Sequence, residues 1–415
     1  MSHLTSLLIA LCAPALLLAQ TSENCSLLAQ LPSVHGASSV QVRESIAWVG
    51  FGSAGLRVLD LAEPAAPLTV GSWNPNSYGS AGMLALAGDV LWVSNGSQIR
   101  SLDISDPGAI QLLGSTSVPS TVEALVAADG RLYVVSNGSG LTIMDTSRPD
   151  APSVLAHVAS PSEWLGAALV RGNRLYLAEG SEGVRILDVS DPGAILELST
   201  FDTWYATGLD LEGNLLYVAD DMAGLRILDV SDPANPVQLG LIDTPGWAEH
   251  VKVSGDLAYV SDHFHGLRII DVHDPASPLE VGYYETGGSA RQLALLDDLV
   301  LLCDAAEGLL VLRHDALTAV DPAPVALPTT AHLLPVAPNP FNPRTLLRLE
   351  LDRAQEITLT VYNIEGRRVA TLAHGRWAAG EHSLPFESGH LPSGVYFAEL
   401  RTAAGSQTQR MLLLR

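Results

Sequence analysis

Cysteine, lysine and long apolar runs are scarce in this sequence of 415 residues. Three cysteines are too few for a disulfide framework, which excludes the small stapled scaffolds common among exported proteins. A single lysine, Lys252, stands against 21 arginines. Charged residues make up only 16%, and acids outnumber bases 45 to 22, for a formal net charge of −23. So acidic a chain argues against nucleic acid and anionic lipid as partners. The only long apolar run is Leu4–Ala19, LTSLLIALCAPALLLA. It is shorter than the roughly 20 residues that span a bilayer and ends in small residues, so residues 1–19 read as a secretory signal cleaved after Ala19. No transmembrane segment is expected, and a processed chain keeps only Cys25 and Cys303. Sustained helical periodicity is missing too.

What the chain has in abundance is repetition. GLRILDVSDPANPVQLG, from Gly224, recurs as GLRVLDLAEPAAPLTVG from Gly55, GLTIMDTSRPDAPSVLA from Gly140, GVRILDVSDPGAILELS from Gly183 and GLRIIDVHDPASPLEVG from Gly266. A degenerate copy starts at Gln98. The aspartate ending each apolar run falls at Asp60, Asp103, Asp145, Asp188, Asp229 and Asp271, in steps of 43, 42, 43, 41 and 42. Such a period denotes a repeat architecture. Each period holds four short apolar or aromatic runs separated by Gly, Asp and Pro clusters, which predicts four strands; around Asp229 these are Ala206–Leu211, Leu215–Ala219, Leu225–Val230 and Val237–Ile242. The Asp-Ser-Asp-Pro cluster is a turn device, its short side chains accepting backbone N–H groups while proline stops the strand. Strands apolar at successive positions need cover on both faces, and four-stranded units arranged radially supply it, as in a β-propeller.

The second strand of each unit carries a marker at Trp48, Trp92, Tyr133, Tyr176, Tyr217, Tyr259 and Leu301, which implies seven units. The seventh ends at GLLVLRHD with no Pro turn and no fourth strand after it. NCSLLAQL, Asn24–Leu31, aligns with NPVQLGLI from Asn235 and precedes the first unit. An N-terminal strand completing the last unit closes the ring over residues 24–314 and removes its open edges. Cys25 then starts one strand and Cys303 ends another at the far end of the same unit, too distant for a bridge that needs Cα atoms within about 7 Å. The pattern GL-x-I-x-D-V-S-D-P-x-x-P resembles the LVIVP repeat family of bacterial and archaeal surface proteins. The resemblance implies the fold and assigns no ligand.

Residues 315–336, rich in Pro, Ala and Thr, read as a linker. Beyond them, residues 337–415 hold six or seven alternating runs with Gly366, Gly380 and Gly394 at turns, the pattern of a small Ig-like β-sandwich. From Leu334 onward nine arginines face seven acids, so the remainder of the chain carries a net charge of −25. NPFNP at Asn339–Pro343, VYN-x-x-G at Val361–Gly366, GVY at Gly394–Tyr396 and a basic C-terminus resemble hook-capping Ig-like domains and the C-terminal sorting domains of type IX secretion. The second resemblance implies that residues 337–415 engage export machinery, leaving the protein secreted or on the bacterial surface.

Candidate contacts lie where propellers present ligands, on the loops that lead into each first strand and those joining the second and third. Twelve residues before the second-strand markers stand Gly36, Ser80, Thr121, Trp164, Tyr205, Trp247 and Ser289. Trp164, Tyr205 and Trp247, with Trp204 beside them, form an aromatic sector suited to sugars or peptide side chains. The plainer alternative is that each ring packs against the next unit's loop. Glu123, Glu249, His250 and Arg291 fall just inside the rim. Glu179, Asp220, Asp262 and Asp304 share the position after the second strand and read as turn formers. His250, His263 and His265 show no metal-ligand spacing and read as surface residues. No G-x-S-x-G elbow, phosphate loop or Cys/His framework is present, so no catalytic residue, metal or cofactor is assigned. The expectation is a non-enzymatic protein binding an extracellular protein or glycan. The rival readings are a hydrolase or lyase using the mouth residues, and a structural spacer.

Overall fold

The structure, a computed structural model, describes residues 22–74, 82–315, 331–334, 341–351, 353–363, 368–389, 391–402 and 405–414. The signal segment 1–19, most of the linker, and Ser80, Asn339, Pro340 and Gly366 lie outside them. The described residues are all β and contain no helix. Two compact units divide between Leu317 and Thr318.

The first unit is a β-propeller. Its blades cover residues 39–73, 84–117, 122–158, 168–201, 208–242, 250–284 and 290–314, each hydrogen-bonded in sequence order from an inner first strand outward. In blade five the strands are Gly208–Glu212, Leu215–Ala219, Leu225–Asp229 and Val237–Ile242. Each inner strand lies beside the next, and that of blade seven lies beside that of blade one, so the ring closes. The outer strand of blade seven is Cys25–Leu31, paired antiparallel with Gly308–His314 from Cys25↔His314 to Leu31↔Leu309. Ser22–Glu23 adds a fifth strand to blade six, on Leu279–Tyr284. Asn24, at φ 50°, turns the chain between the two sheets and donates its Nδ2–H to the Val281 carbonyl at 2.5 Å.

Local chemistry explains the repeat. Asp60, Asp103, Asp145, Asp188, Asp229 and Asp271 each accept the backbone N–H two residues on at 2.8 to 2.9 Å, which turns the chain out of the third strand. The second-strand markers Trp48, Trp92, Tyr133, Tyr176, Tyr217, Tyr259 and Leu301 are all buried. Interleaved apolar clusters join each blade to its neighbour, such as Tyr176, Ile186, Leu209 and Leu228 between blades four and five. Each such side chain contributes about 1.5–3 kcal/mol through burial.

The second unit has one sheet of Ala331–Leu333, Arg344–Leu351 and Gly380–Glu387, and another of Arg368–Trp377, Gln355–Asn363, Gly394–Thr402 and Gly405–Leu413. Ala331–Leu333 had read as linker from its composition. It is an edge strand because its backbone pairs with Leu349–Leu351, an interaction independent of side-chain type. Strict alternation buries Thr345, Leu347, Leu349 and Leu351 and exposes Arg344, Leu346, Arg348 and Glu350. Phe341 of the NPFNP motif is buried in the shared core, 5.8 Å from Phe386.

Candidate functional site

One face of the propeller is built from the loops between second and third strands, stitched to the segment entering the following blade by isolated bridges Gly180↔Ala206, Asp221↔Ala248 and His263↔Ala290. The stitched position needs a left-handed backbone. Blade four supplies it with Gly180 at φ 53°, whereas blades five and six use Asp221 and His263, both at φ 48°. Polar side chains tolerate this region better than most, yet still at a cost. Below the bridges, Thr207 Oγ1 donates to the Ala219 and Ala248 carbonyls and pins the chain entering blade six. Gly208 permits that approach, since a β-carbon there would stand 2.7 Å from the Cα of His250.

The expected aromatic sector divides in two. Trp164 and Tyr205 meet with centroids 5.0 Å apart and planes inclined by 41°. They also close over Gly180, and both are half-buried. Trp247 belongs to a second group, with its ring 4.9 Å from His263 and 6.2 Å from Phe264. Trp204 is 64% exposed and Trp247 46%. Phe264 and Met222, which the sequence reading did not single out, are as open at 63% and 60%. They sit beside His263 and Asp221 at the bridged positions of blades six and five, and the signal for them was an apolar residue following a non-glycine at the repeat's left-handed site.

Inside this rim a cavity of about 750 Å³ runs along the inner strands, and Glu123, Trp164, Glu249, His250 and Arg291 all line it. Tyr205, Trp204 and Trp247 do not. Glu123 Oε1 accepts from Asn137 Nδ2 at 2.8 Å, and Asn137 Oδ1 in turn accepts the Leu165 N–H, tying this carboxylate to the Trp164 segment. Burial raises the Glu123 carboxyl above its ordinary range, against the lowering pull of Arg291. Glu249 is raised by burial as well; Arg291 opposes and Asp221 reinforces the shift. The exposed Arg291 is therefore the cation shared by both acids. Burial, aided by Lys252, pushes the His250 imidazole down to about 3, so the ring is neutral; its Nδ1 is sealed without a partner. His263, only 14% exposed at its side chain, is not a surface residue either: its Nε2 lies 3.8 Å from Glu249 Oε1. Burial and Arg291 lower its pKa.

The acidic row after the second strand is not the row of turn formers expected. Glu179, Asp220 and Asp262 are buried and paired with the arginine of the third strand: Arg185 at 2.6 Å, Arg226 at 2.6 Å and Arg268 at 3.5 Å. Their partners were visible as the Arg of G-[LV]-R, six residues on. In blade one Phe51 takes the acid's place and Arg57 stacks on it at 4.6 Å. Blade seven has Leu310 where the arginine stands, and only there does the carboxylate, Asp304, form the expected turn with the Ala306 and Glu307 N–H groups. Among the described residues no group of three His, Cys, Asp or Glu side chains is placed to hold a metal ion. Cys25 and Cys303 are free and buried.

Residues 36–74, 168–203, 205–244 and 245–286 match the LVIVD repeat family, which corrects the name LVIVP given to the pattern above. Residues 335–414 match the secretion system C-terminal sorting domain. No curated protein matches the chain. Among solved structures, the Myceliophthora thermophila Cps50 (Swd1) β-propeller domain is 14% identical with a TM-score of 0.56, covering 68% of this chain and 98% of that one. The WD40 β-propeller domain of Doa1 is 12% identical with a TM-score of 0.55, covering 69% and 96%. The computationally designed Ika8 protein is 11% identical with a TM-score of 0.53, covering 69% and 99%. At such identities the likeness is one of fold alone.

Proposed function

Because this chain is a β-propeller of LVIVD repeats ending in a type IX secretion sorting domain, and so a secreted or surface-displayed bacterial protein, we propose that it is a non-enzymatic binding protein whose rim on blades four to six takes an extracellular protein or glycan. The observation that carries this reading is the open apolar group Trp204, Met222, Trp247 and Phe264 on adjacent rim loops. Met222, Trp247 and Phe264 are neighbours, through the Asp221↔Ala248 bridge and the Trp247–Phe264 ring contact; contiguous exposed apolar side chains mark interaction sites, and tryptophan is favoured where binding energy concentrates. A spacer would have no use for them. The sorting domain delivers the propeller to where a partner can be met.

The test is the double substitution Trp204→Ala and Trp247→Ala, with labelled protein applied to arrays of glycans and of exported proteins. Retention on the native protein's target should fall by about 30-fold, the effect of losing a hot spot worth roughly 2 kcal/mol. Unchanged retention would remove the rim from the account.

A catalytic reading draws on one arrangement: Glu123 and Glu249 on a single cavity, both raised by burial as a general acid requires. Against it stand the His250 imidazole, pushed down to about 3 and so a weak base, and the Asn137 Nδ2–H that holds one oxygen of Glu123. Turnover of any extracellular polysaccharide or polypeptide, lost on Glu249→Gln, would replace the binding reading with this one.

A further inference from the structure

Glycan and protein partners ask different things of a rim. A sugar platform needs a flat ring with an open face. Trp164 has its ring over Gly166 and Gly180 and against Tyr205, while Trp247 has His263 against one side of its ring and Phe264 at its flank. What stands open is a patch of mixed shape, including the unbranched side chain of Met222, which adapts to other apolar side chains.

The patch is continuous with a negative mouth. His263 stacks on Trp247 and stands 3.8 Å from the Glu249 carboxylate, which lines the same cavity as Glu123. Asp221 adds a third acid acting on Glu249, and the histidines here are held toward the neutral form. Arg291 is the cation that acts on both Glu123 and Glu249, while Lys252, which also lines the cavity, is held by Asp210 at 3.3 Å. Two under-solvated carboxylates with one shared counter-ion favour a second cation, and an overall charge of −23 attracts one from a distance.

Resting on the binding role above, we infer that the partner is a protein segment that lays apolar side chains on the Met222, Trp247 and Phe264 patch and extends a lysine or arginine toward Glu249 and Glu123. The long stem of such a residue follows the apolar surface while its head reaches the acids. Arg291 is exposed and leaves the mouth accessible.

The test uses the full exported protein and fluorescent heptapeptide libraries with apolar flanks and a fixed central lysine, arginine, norleucine or glutamate. Lysine and arginine libraries should bind at least about tenfold more tightly than norleucine, an advantage that shrinks in about 0.3 M salt. Glu123→Gln with Glu249→Gln should abolish the advantage and spare norleucine binding. Glutamine keeps the acceptor for Asn137, and thermal melting checks the fold. Asp150→Asn, at an exposed acid paired with Arg148, should change nothing. Equal affinity for lysine and norleucine, a preference for glutamate, or retention of oligosaccharides alone overturns the inference. If Trp247→Ala still weakens norleucine or oligosaccharide binding in that event, the binding role stands without it. Binding to no peptide and no sugar removes both.

Discussion

Trp164 lies over Gly180 so closely that a β-carbon at Gly180 would stand 3.1 Å from its Cε3 atom, and equally close to the Tyr205 ring. The ring pair and the left-handed glycine are therefore one device, and a substitution can separate its two parts.

Gly180→Ala should destabilise the propeller more than Gly172→Ala. Both glycines are left-handed, at 53° and 57°, and share a backbone cost of about 1–2 kcal/mol. Nothing lies within 4 Å of an added carbon at Gly172, so the difference isolates the displaced rings. Urea denaturation gives the two costs, and near-ultraviolet circular dichroism should change for Gly180→Ala alone.

Arg226→Met should cost about 3–5 kcal/mol, because Asp220, with no exposed surface, loses its ion pair at 2.6 Å. Adding Asp220→Asn should recover part of that loss, since the unpaired charge goes. A double variant no more stable than Arg226→Met would show the ion pair to be incidental.

Stability should fall as pH drops below about 6.5. His250 has a folded pKa of about 3, far below its unfolded value, so the unfolded chain takes up a proton that the folded one refuses. Its contribution is complete above 6.5 and is lost as pH falls toward 3, by up to about 1.4 kcal/mol per pH unit. His314, lowered by burial, acts in the same direction. Glu123 and Glu249, raised by burial, act oppositely as they protonate. His250→Gln should flatten the melting-temperature profile between pH 6.5 and 5, and an unchanged slope would count against an imidazole kept neutral by the fold.

Cys25 and Cys303 should resist alkylation in the folded protein. Burial pushes the Cys25 thiol up to about 12 and that of Cys303 upward too, leaving almost no thiolate, and both are inaccessible. Peptide mass spectrometry after iodoacetamide treatment should find both unmodified until denaturant is added. Labelling of Cys25 alone in native buffer would mean that the closing strand opens.

Deleting residues 22–31 should abolish cooperative unfolding and promote aggregation, because Gly308–His314 becomes an open edge. Light scattering and a denaturation curve decide it, and a monomeric, cooperative truncated protein would refute the closure's importance.

The repeat was legible because its causes are local. An aspartate that accepts the N–H two residues on, a proline that stops a strand and short apolar runs need only their neighbours in the chain, so period, strand placement and the C-terminal sorting motif could be read directly. Even the closing strand could be found, since Asn24–Leu31 aligns with the outer strand that begins at Asn235. The rim was legible only in part. Position in the repeat marked Trp164, Tyr205 and Trp247 as equivalents, but their partners differ: Trp164 meets Tyr205 over a glycine, and Trp247 meets His263 in that glycine's place. Glu179, Asp220 and Asp262 looked like turn residues because the arginines that neutralise them arrive from another strand.

By itself, then, the sequence determined the architecture and the destination of this protein, through turns, periods and terminal motifs that act over a few residues. Only the tertiary structure decided which acids are buried ion pairs and which face the cavity, and that Met222 and Phe264 stand open beside Trp247. The pairs Glu179–Arg185 and Asp220–Arg226 form when neighbouring strands of one blade align, and closing the ring then gathers Glu123, Glu249 and Arg291 from three blades around one cavity, so burial and shared charge depend on distances in space that spacing along the chain does not encode.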